Sequence, residues 1–307
     1  MKKICVATSN RADFGLLRWL MEDLKVCNAF ELQVLATGGH FSEQQGYTWR
    51  QIEEAGFEIN SKIDELESGD IGADAGVEMG RILGASAIEL AQLNSDLLIV
   101  LGDRYEILAV VSAAVLQNIT VAHIHGGEVT EGAFDDSIRH AITKLSDIHF
   151  TAADEYRKRV IQMGENPDRV YNVGAIGLDA IDRLKLLSEE ELRNDLSIDR
   201  RMPYFLVTWH PETMSIASTV DNFQEVLRAL ESVEEHMCLF TRANNDPMGQ
   251  AINDELNKYL SRNKTWRVFD TLGSKKYLSA MKFAKAVVGN SSSGIIEAPA
   301  MGVPTIN

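Results

Sequence analysis

The chain has 307 residues, 45% of them hydrophobic, and its 45 acidic against 30 basic residues give a formal net charge of −15 at pH 7. That length and apolar content can bury a sizeable core and suggest two domains rather than one. So acidic a surface excludes nucleic acid and anionic membranes as partners, and any phosphate ligand has to be held by local donors rather than drawn in from a distance.

The first apolar run, "ICVAT", ends in Ser9, Asn10, Arg11 and Asp13 and reads as a strand rather than a signal peptide. A helix is expected over "FGLLRWLMEDL", with Leu16, Leu17, Leu20 and Leu24 at helical spacing. Further apolar runs follow. "LQVLAT" stops at Gly38, Gly39 and His40; "DLLIVLG" stops at Asp103, Arg104, Tyr105 and Glu106; "ITVAHIH" stops at Gly126, Gly127 and Glu128. "DSIRHAITKLSD" then places Ile138, Ala141, Ile142 and Leu145 on one helical face. The charged stretch Arg183 to Tyr204 contains no strand-like run, so the domain boundary is placed near residue 190, giving domains 1–190 and 191–307. Beyond it, "YFLVTW" runs into His210, "MCLFT" into Arg242 and Asn244, and "AKAVVG" into Asn290 and three serines. Continuous rather than alternating apolar runs indicate strands covered on both faces, as in parallel sheets, and their alternation with helices makes the class α/β. Ligands of such sheets bind at the carboxyl ends of the strands, which is where every polar cluster falls. No stretch has the apolar length of a membrane span. Cys5, Cys27 and Cys238 are far apart, and an odd count without metal spacing fits the reducing cytoplasm.

Several clusters carry chemistry. In "VVGNSSSGIIEAPAMG", Ser291 and Ser292 follow a strand and open a helix, where hydroxyls and main-chain N–H groups can hold a phosphate; simple N-capping by serine is the plainer reading. Glu297, one turn on, could accept from ribose hydroxyls or be a solvated helix residue. Arg11 could add a cation to a phosphate site, or be an ordinary surface arginine. His210, at a strand end, suits either a diphosphate contact or acid–base work, and equally a histidine satisfied within the fold. Asp135 and Asp136 precede an amphipathic helix whose dipole would account for one of them. Asp103 and Glu128 stand at strand ends where carboxylates suggest general acid–base catalysis. No G-x-G-x-x-G follows the first strand and no Walker-type loop or H-E-x-x-H occurs, so no dinucleotide cofactor and no catalytic metal is expected.

Taken in order, "TSNRADFG", "VLGDRYEILA", "HIHGGEVTEGAFDDSIRHAITKLSDIHF", "HPET" and "GNSSSGIIEAPAMGVPTIN" resemble the hydrolysing UDP-N-acetylglucosamine 2-epimerases, which begin synthesis of sialic- and legionaminic-acid-type sugars. The resemblance runs over essentially the whole chain. It implies a GT-B-like fold: two Rossmann-like domains, 1–190 and 191–307, whose parallel sheets face a central cleft that binds UDP. It also implies a homodimer or homotetramer. By motif, Arg11, Arg104, His210, Asn244, Ser291, Ser292 and Glu297 would contact UDP, and Asp103, Glu128, Asp135 and Asp136 would face the sugar. Non-hydrolysing relatives carry "HVEAG" where this chain has His123-Ile124-His125-Gly126-Gly127. His125 thus stands at their first glutamate and Glu128 three residues later, which points to the hydrolysing branch. Family members continue beyond "GVPTIN", so the second domain is expected to be truncated at its C-terminal end.

The resemblance implies release of UDP and a free 2-epimerised sugar, N-acetylmannosamine or its 2,4-diacetamido analogue. The alternatives are a UDP-sugar-binding module without turnover and a GT-B glycosyltransferase. The first leaves the carboxylates unexplained, and the second needs an acceptor site.

Overall fold

The run "KKICVAT" forms strand β1 (Lys2–Thr8). Cys5 and Ala7 point into one apolar layer and Ile4 and Val6 into another, as the two-residue period of a strand covered on both faces requires. The computed structural model describes residues 1–43, 46–64, 73–130, 134–199, 201–210, 216–243 and 249–307. They divide into two units, Met1–Ile176 and Gly177–Asn307.

In the first unit β1 is joined by β2 (Phe30–Thr37), β3 (Ser61–Ile63), β4 (Leu97–Leu101), β5 (Thr120–Ile124), β6 (Ile148–Thr151) and β7 (Val170–Asn172). The seven strands form one parallel sheet in the order β3-β2-β1-β4-β5-β6-β7. Helices α1 (Arg11–Val26) and α2 (Trp49–Glu54) cover one face. Helices α3 (Ala73–Leu93), α4 (Tyr105–Leu116) and α5 (Asp135–Leu145) cover the other, and α6 (Asp154–Gln162) precedes β7. Helix α1 starts where the Asn10 side chain accepts from the N–H groups of Ala12 and Asp13 at 2.7 and 2.9 Å, a cap worth about 1 kcal/mol. It buries Phe14, Leu17, Met21 and Leu24; Leu16 and Leu20 are only partly buried beside them. Each fully buried side chain of this kind contributes about 1.5–3 kcal/mol.

The second unit begins with α7 (Asp179–Arg183) and α8 (Glu189–Asp195), the latter opened by a Ser188–Glu191 capping box. Leu192, Leu196 and Ile198 pin this charged stretch to the apolar layer beneath the second sheet. That sheet holds β8 (Tyr204–Thr208), β9 (Met237–Thr241), β10 (Arg267–Phe269), β11 (Ala286–Gly289) and β12 (Thr305–Ile306), all parallel, in the order β10-β9-β8-β11-β12. Its helices are α9 (Ile216–Glu231), α10 (Gly249–Arg262), α11 (Gly273–Phe283) and the four-residue α12 (Glu297–Ala300). Among the described residues no helix is long and apolar enough to cross a membrane.

Strand order reverses between β1 and β4 in the first sheet and between β8 and β11 in the second. At such points the loops leave in opposite directions and open a crevice at the strand ends. The loops after β1, β4, β8 and β11 carry most of the residues singled out in the sequence.

Candidate active site

In the first unit, Asp103 follows β4 and is held by Arg139, which α5 points inward. The Arg139 guanidinium contacts the Asp103 carboxylate and donates to the Thr130 hydroxyl at 3.1 Å. Arg139 is 6% exposed, so the face of α5 that reads as apolar in sequence buries a cation together with Ile142 and Thr143. Burial raises the Asp103 carboxyl above its ordinary value; the charge of Arg139 pulls the other way, and the nearby Glu128 adds to the rise. Asp103 and Glu128 stand on loops after adjacent strands, near enough for the charge of one to act on the other. A half-buried carboxyl with a raised pKa near a second carboxylate is the arrangement acid–base chemistry uses.

Asp136 works largely within the fold. It accepts from the Thr130 N–H at 2.9 Å and lies 3.8 Å from Arg139 and 3.6 Å from His140. Asp135 sits half-buried beside it in the first turn of α5, where the helix dipole favours a negative group. His123, fully buried in β5, donates through Nε2 to the Gly102 carbonyl at 2.8 Å, leaving Nδ1 beside the Thr143 hydroxyl at 3.2 Å. Burial pushes it down to about 3, so it stays neutral and braces the turn that presents Asp103. His125 leaves the strand in the left-handed region at φ 66, and its Nδ1 lies 2.9 Å from Glu128.

Arg11 is exposed at the start of α1. Arg104 folds back onto the first turn of α4, where Glu106, 1% exposed, receives it at 2.9 to 3.3 Å. Asp13 lies close by and accepts from the Ser9 hydroxyl at 2.6 Å; burial pushes its carboxyl up to about 6 against the lowering effects of Ser9 and Arg104. In this arrangement Arg104 neutralises buried acid, and only part of its side chain remains open to a ligand.

In the second unit, β8 and β11 bring His210 and the serine turn together. Gly289 is required where they meet: at φ 130, a Cβ there would stand 1.9 Å from the Thr208 carbonyl oxygen. The next residue, Asn290, accepts from the His210 N–H at 2.7 Å and donates to the His210 carbonyl at 2.8 Å. Ser291 caps a 3-10 turn over Ser292–Gly294, and Ser292 is exposed. The helix that follows, α12, has four residues, so the serines sit on a turn rather than at the head of a long helix dipole. A line of hydroxyls supports them. Ser291 meets Ser293 at 3.0 Å, Ser293 meets Tyr277 at 2.6 Å, Tyr277 meets Thr208 at 3.4 Å, and Thr208 meets Thr241 at 2.7 Å. Glu297 starts α12, half-buried. Asn244 lies outside the described residues.

Arg139 and Tyr277 are not among the sequence candidates, and Asn290 and Ser293 enter there only as members of the polar cluster after "AKAVVG". Arg139 had left a signal, a lone cation between Ile138 and Ile142 on an apolar face. Asn290 looked like an ordinary loop residue before the serines. Among the described residues no group of three or more His, Cys, Asp and Glu side chains is placed to hold a metal ion.

A family model described as UDP-N-acetylglucosamine 2-epimerase matches residues 22–307. The chain is 38% identical over 307 residues to the GDP/UDP-N,N'-diacetylbacillosamine 2-epimerase (hydrolyzing) of Campylobacter jejuni, covering all of this chain and 80% of that one. It is 37% identical over 309 residues to the polysialic acid biosynthesis protein P7 of Escherichia coli, covering all of this chain and 78% of that one. Among solved structures it is similar to UDP-GlcNAc 2-epimerase from Neisseria meningitidis bound to UDP-GlcNAc, with a TM-score of 0.85, 16% identity, and coverage of 100% of this chain and 82% of that one. The last likeness is one of fold, GT-B-like and α/β.

Proposed function

Because the chain belongs to the UDP-N-acetylglucosamine 2-epimerase family, and is an enzyme of it, we propose that it is a hydrolysing UDP-sugar 2-epimerase that releases UDP and the free 2-epimerised sugar. The observation that carries this reading is the pair of carboxylates on the loops after β4 and β5: Asp103, half-buried against Arg139 and with its pKa raised by desolvation, and Glu128, whose charge adds to that rise. The 38% identity to a relative named for a diacetylbacillosamine substrate supports a 2,4-diacetamido sugar ahead of N-acetylglucosamine.

The C2 proton of such a sugar is not acidic, because no carbonyl adjoins it. As the C1–O bond to UDP breaks, positive charge develops at C1 and C2–H becomes acidic. A carboxylate removes that proton, the electron pair forms the C1=C2 bond of a glycal, and UDP leaves with the C1–O pair. Water then adds at C1, and an acid returns a proton to C2 from the opposite face. Inversion therefore calls for acid–base groups on two sides of the ring. Asp103, Glu128 and Asp135 are assigned that work, with Asp136 bracing α5. A carboxylate also stabilises the cationic character at C1. His210, Ser291 and Ser292 are assigned to the diphosphate, Glu297 to ribose hydroxyls, and Arg11, Arg104 and Asn244 to the nucleotide. The step draws on no redox cofactor, because no net oxidation occurs. A cytoplasmic homo-oligomer completes the reading; its buried Cys5 and Cys238 thiols, each pushed up to about 12 by burial, are inert there.

The test is to incubate the protein with the UDP-2,4-diacetamido sugar, or with UDP-N-acetylglucosamine, and no acceptor. Free UDP together with the 2-epimerised sugar is expected. UDP with unepimerised sugar would make the protein a simple hydrolase, and binding without release would make it a sugar-nucleotide-binding module.

A further inference from the structure

We propose that His125 is a positioning residue for Glu128: carrying its proton on Nδ1, the imidazole fixes the Glu128 carboxylate and acts on the reaction only through it. The role of Glu128 itself rests on the epimerase reading above.

Strand β5 ends at Ile124, and His125 turns out of it at φ 66, a conformation that a non-glycine residue holds only where its surroundings impose it. Here they do so on several sides. The His125 N–H donates to the Phe150 carbonyl at 2.9 Å. The Arg159 guanidinium donates to the Gly127 carbonyl. Gly127 packs so tightly on α6 that a Cβ would stand 2.5 Å from the Tyr156 carbonyl oxygen. The chain therefore doubles back within three residues and brings Glu128 Oε1 to 2.9 Å from His125 Nδ1. The approach is one of distance: Oε1 accepts no well-aligned hydrogen bond, and contacts of catalytic groups commonly tighten in the reacting complex.

The other ring nitrogen identifies the tautomer. The main-chain N–H of Ile176 donates to Nε2 at 3.3 Å. One N–H does not face another, so Nε2 offers its lone pair and the ring proton sits on Nδ1, towards Glu128. This is the opposite tautomer from His123 two residues earlier, whose Nε2 must carry the proton it gives to the Gly102 carbonyl. With Nε2 taken by the main chain and Nδ1 standing 2.9 Å from the carboxylate, both ring nitrogens face the protein rather than a substrate. Glu128 is also the more accessible partner, its side chain 21% exposed against 11% for His125.

A double-mutant cycle over His125→Gly and Glu128→Gln tests the coupling. Glycine suits the left-handed turn, so the variant removes the imidazole without straining the backbone. His125→Gly is expected to lower kcat about ten- to a hundredfold, as loss of an orienting partner does, with UDP affinity by calorimetry unchanged. Added to Glu128→Gln it should cost less than about twofold more. His125→Asn, which tolerates the same backbone and keeps an amide N–H near the place of Nδ1, should recover turnover to within about tenfold of wild type. Full loss from His125→Gly in the Glu128→Gln background, or no loss at all in wild type, would overturn the proposal. So would a His125→Asn protein that loses one limb of the pH–rate profile, since the imidazole would then transfer the proton itself. Imidazole nitrogen NMR on the protein without substrate gives an answer free of turnover: Nδ1–H is expected, and Nε2–H contradicts. A wild-type protein that releases no UDP would instead count against the epimerase reading, leaving the tautomer result to stand on its own.

Discussion

Asn290 holds the main chain of His210 from both sides, its amide oxygen accepting from the N–H at 2.7 Å and its amide nitrogen donating to the carbonyl at 2.8 Å. The clamp fixes the end of β8 against the end of β11, where the serine turn begins. Asn290→Ala should weaken UDP binding by about five- to thirtyfold, the scale of one or two lost hydrogen bonds. Ser291→Ala with Ser292→Ala should also weaken it. Isothermal calorimetry with UDP is the check, and unchanged affinity in both variants would move the nucleotide to another strand end.

Arg139 lies against Asp103 and lowers a carboxyl that burial raises. Arg139→Met removes that opposing charge, so Asp103 keeps its proton to still higher pH. Whichever limb of the kcat–pH profile Asp103 governs should therefore move to higher pH. A profile unchanged in both limbs would take Asp103 out of the rate-determining chemistry.

Asp103→Asn, Glu128→Gln and Asp135→Asn should each lower turnover by about two orders of magnitude or more, the size of lost acid–base catalysis, with UDP affinity little changed. Steady-state UDP release and calorimetry on each variant measure the two quantities separately. Near wild-type turnover in all three would remove the acid–base assignment.

His40 is fully buried between the Thr8 and Thr48 hydroxyls, at 3.0 and 2.9 Å. Burial pushes it from 6.5 down to about 4. Between those values the unfolded chain binds a proton that the folded chain refuses. The stability His40 contributes is thus complete above pH 6.5 and is lost as pH falls towards 4. Asp13, raised from 3.8 to about 6, has the opposite sign, its contribution being lost as pH rises through that range. Urea midpoints measured from pH 7 to pH 4.5 should fall less steeply for His40→Gln than for wild type, and more steeply for Asp13→Asn. Slopes equal to wild type in both would contradict the two burial effects.

The strands that sequence revealed are those covered on both faces. β1, β2, β4, β5, β8, β9 and β11 are each four residues or longer, with mostly buried runs. Three-residue β3, β7 and β10 lie at or near the sheet edges and are too short to show a period, while β6 alternates in burial and merges with the histidine-rich stretch before it. The strand-end positions of Asp103, Glu128, His210 and Ser291 were legible because each interrupts an apolar run. Arg139 and Tyr277 were not, because each lies inside a helix and reaches its partner through the fold. His40, which ends a strand run as those residues do, is instead a buried brace; nothing in the local sequence separates a histidine turned inward from one turned outward.

The proposed elimination is tested most directly by turnover in labelled water. If UDP leaves with the C2 proton, that proton is replaced from solvent, and the product sugar made in D₂O carries deuterium at C2. Water attacks C1, so product made in H₂¹⁸O carries the heavy oxygen there and the released UDP does not. Mass spectrometry and proton NMR of the free sugar read both labels, after short incubation to limit exchange at the anomeric oxygen. Deuterium at C2 with inversion there is the expected result. A product unlabelled at C2 would contradict the elimination and leave Asp103 and Glu128 without the acid–base roles assigned to them.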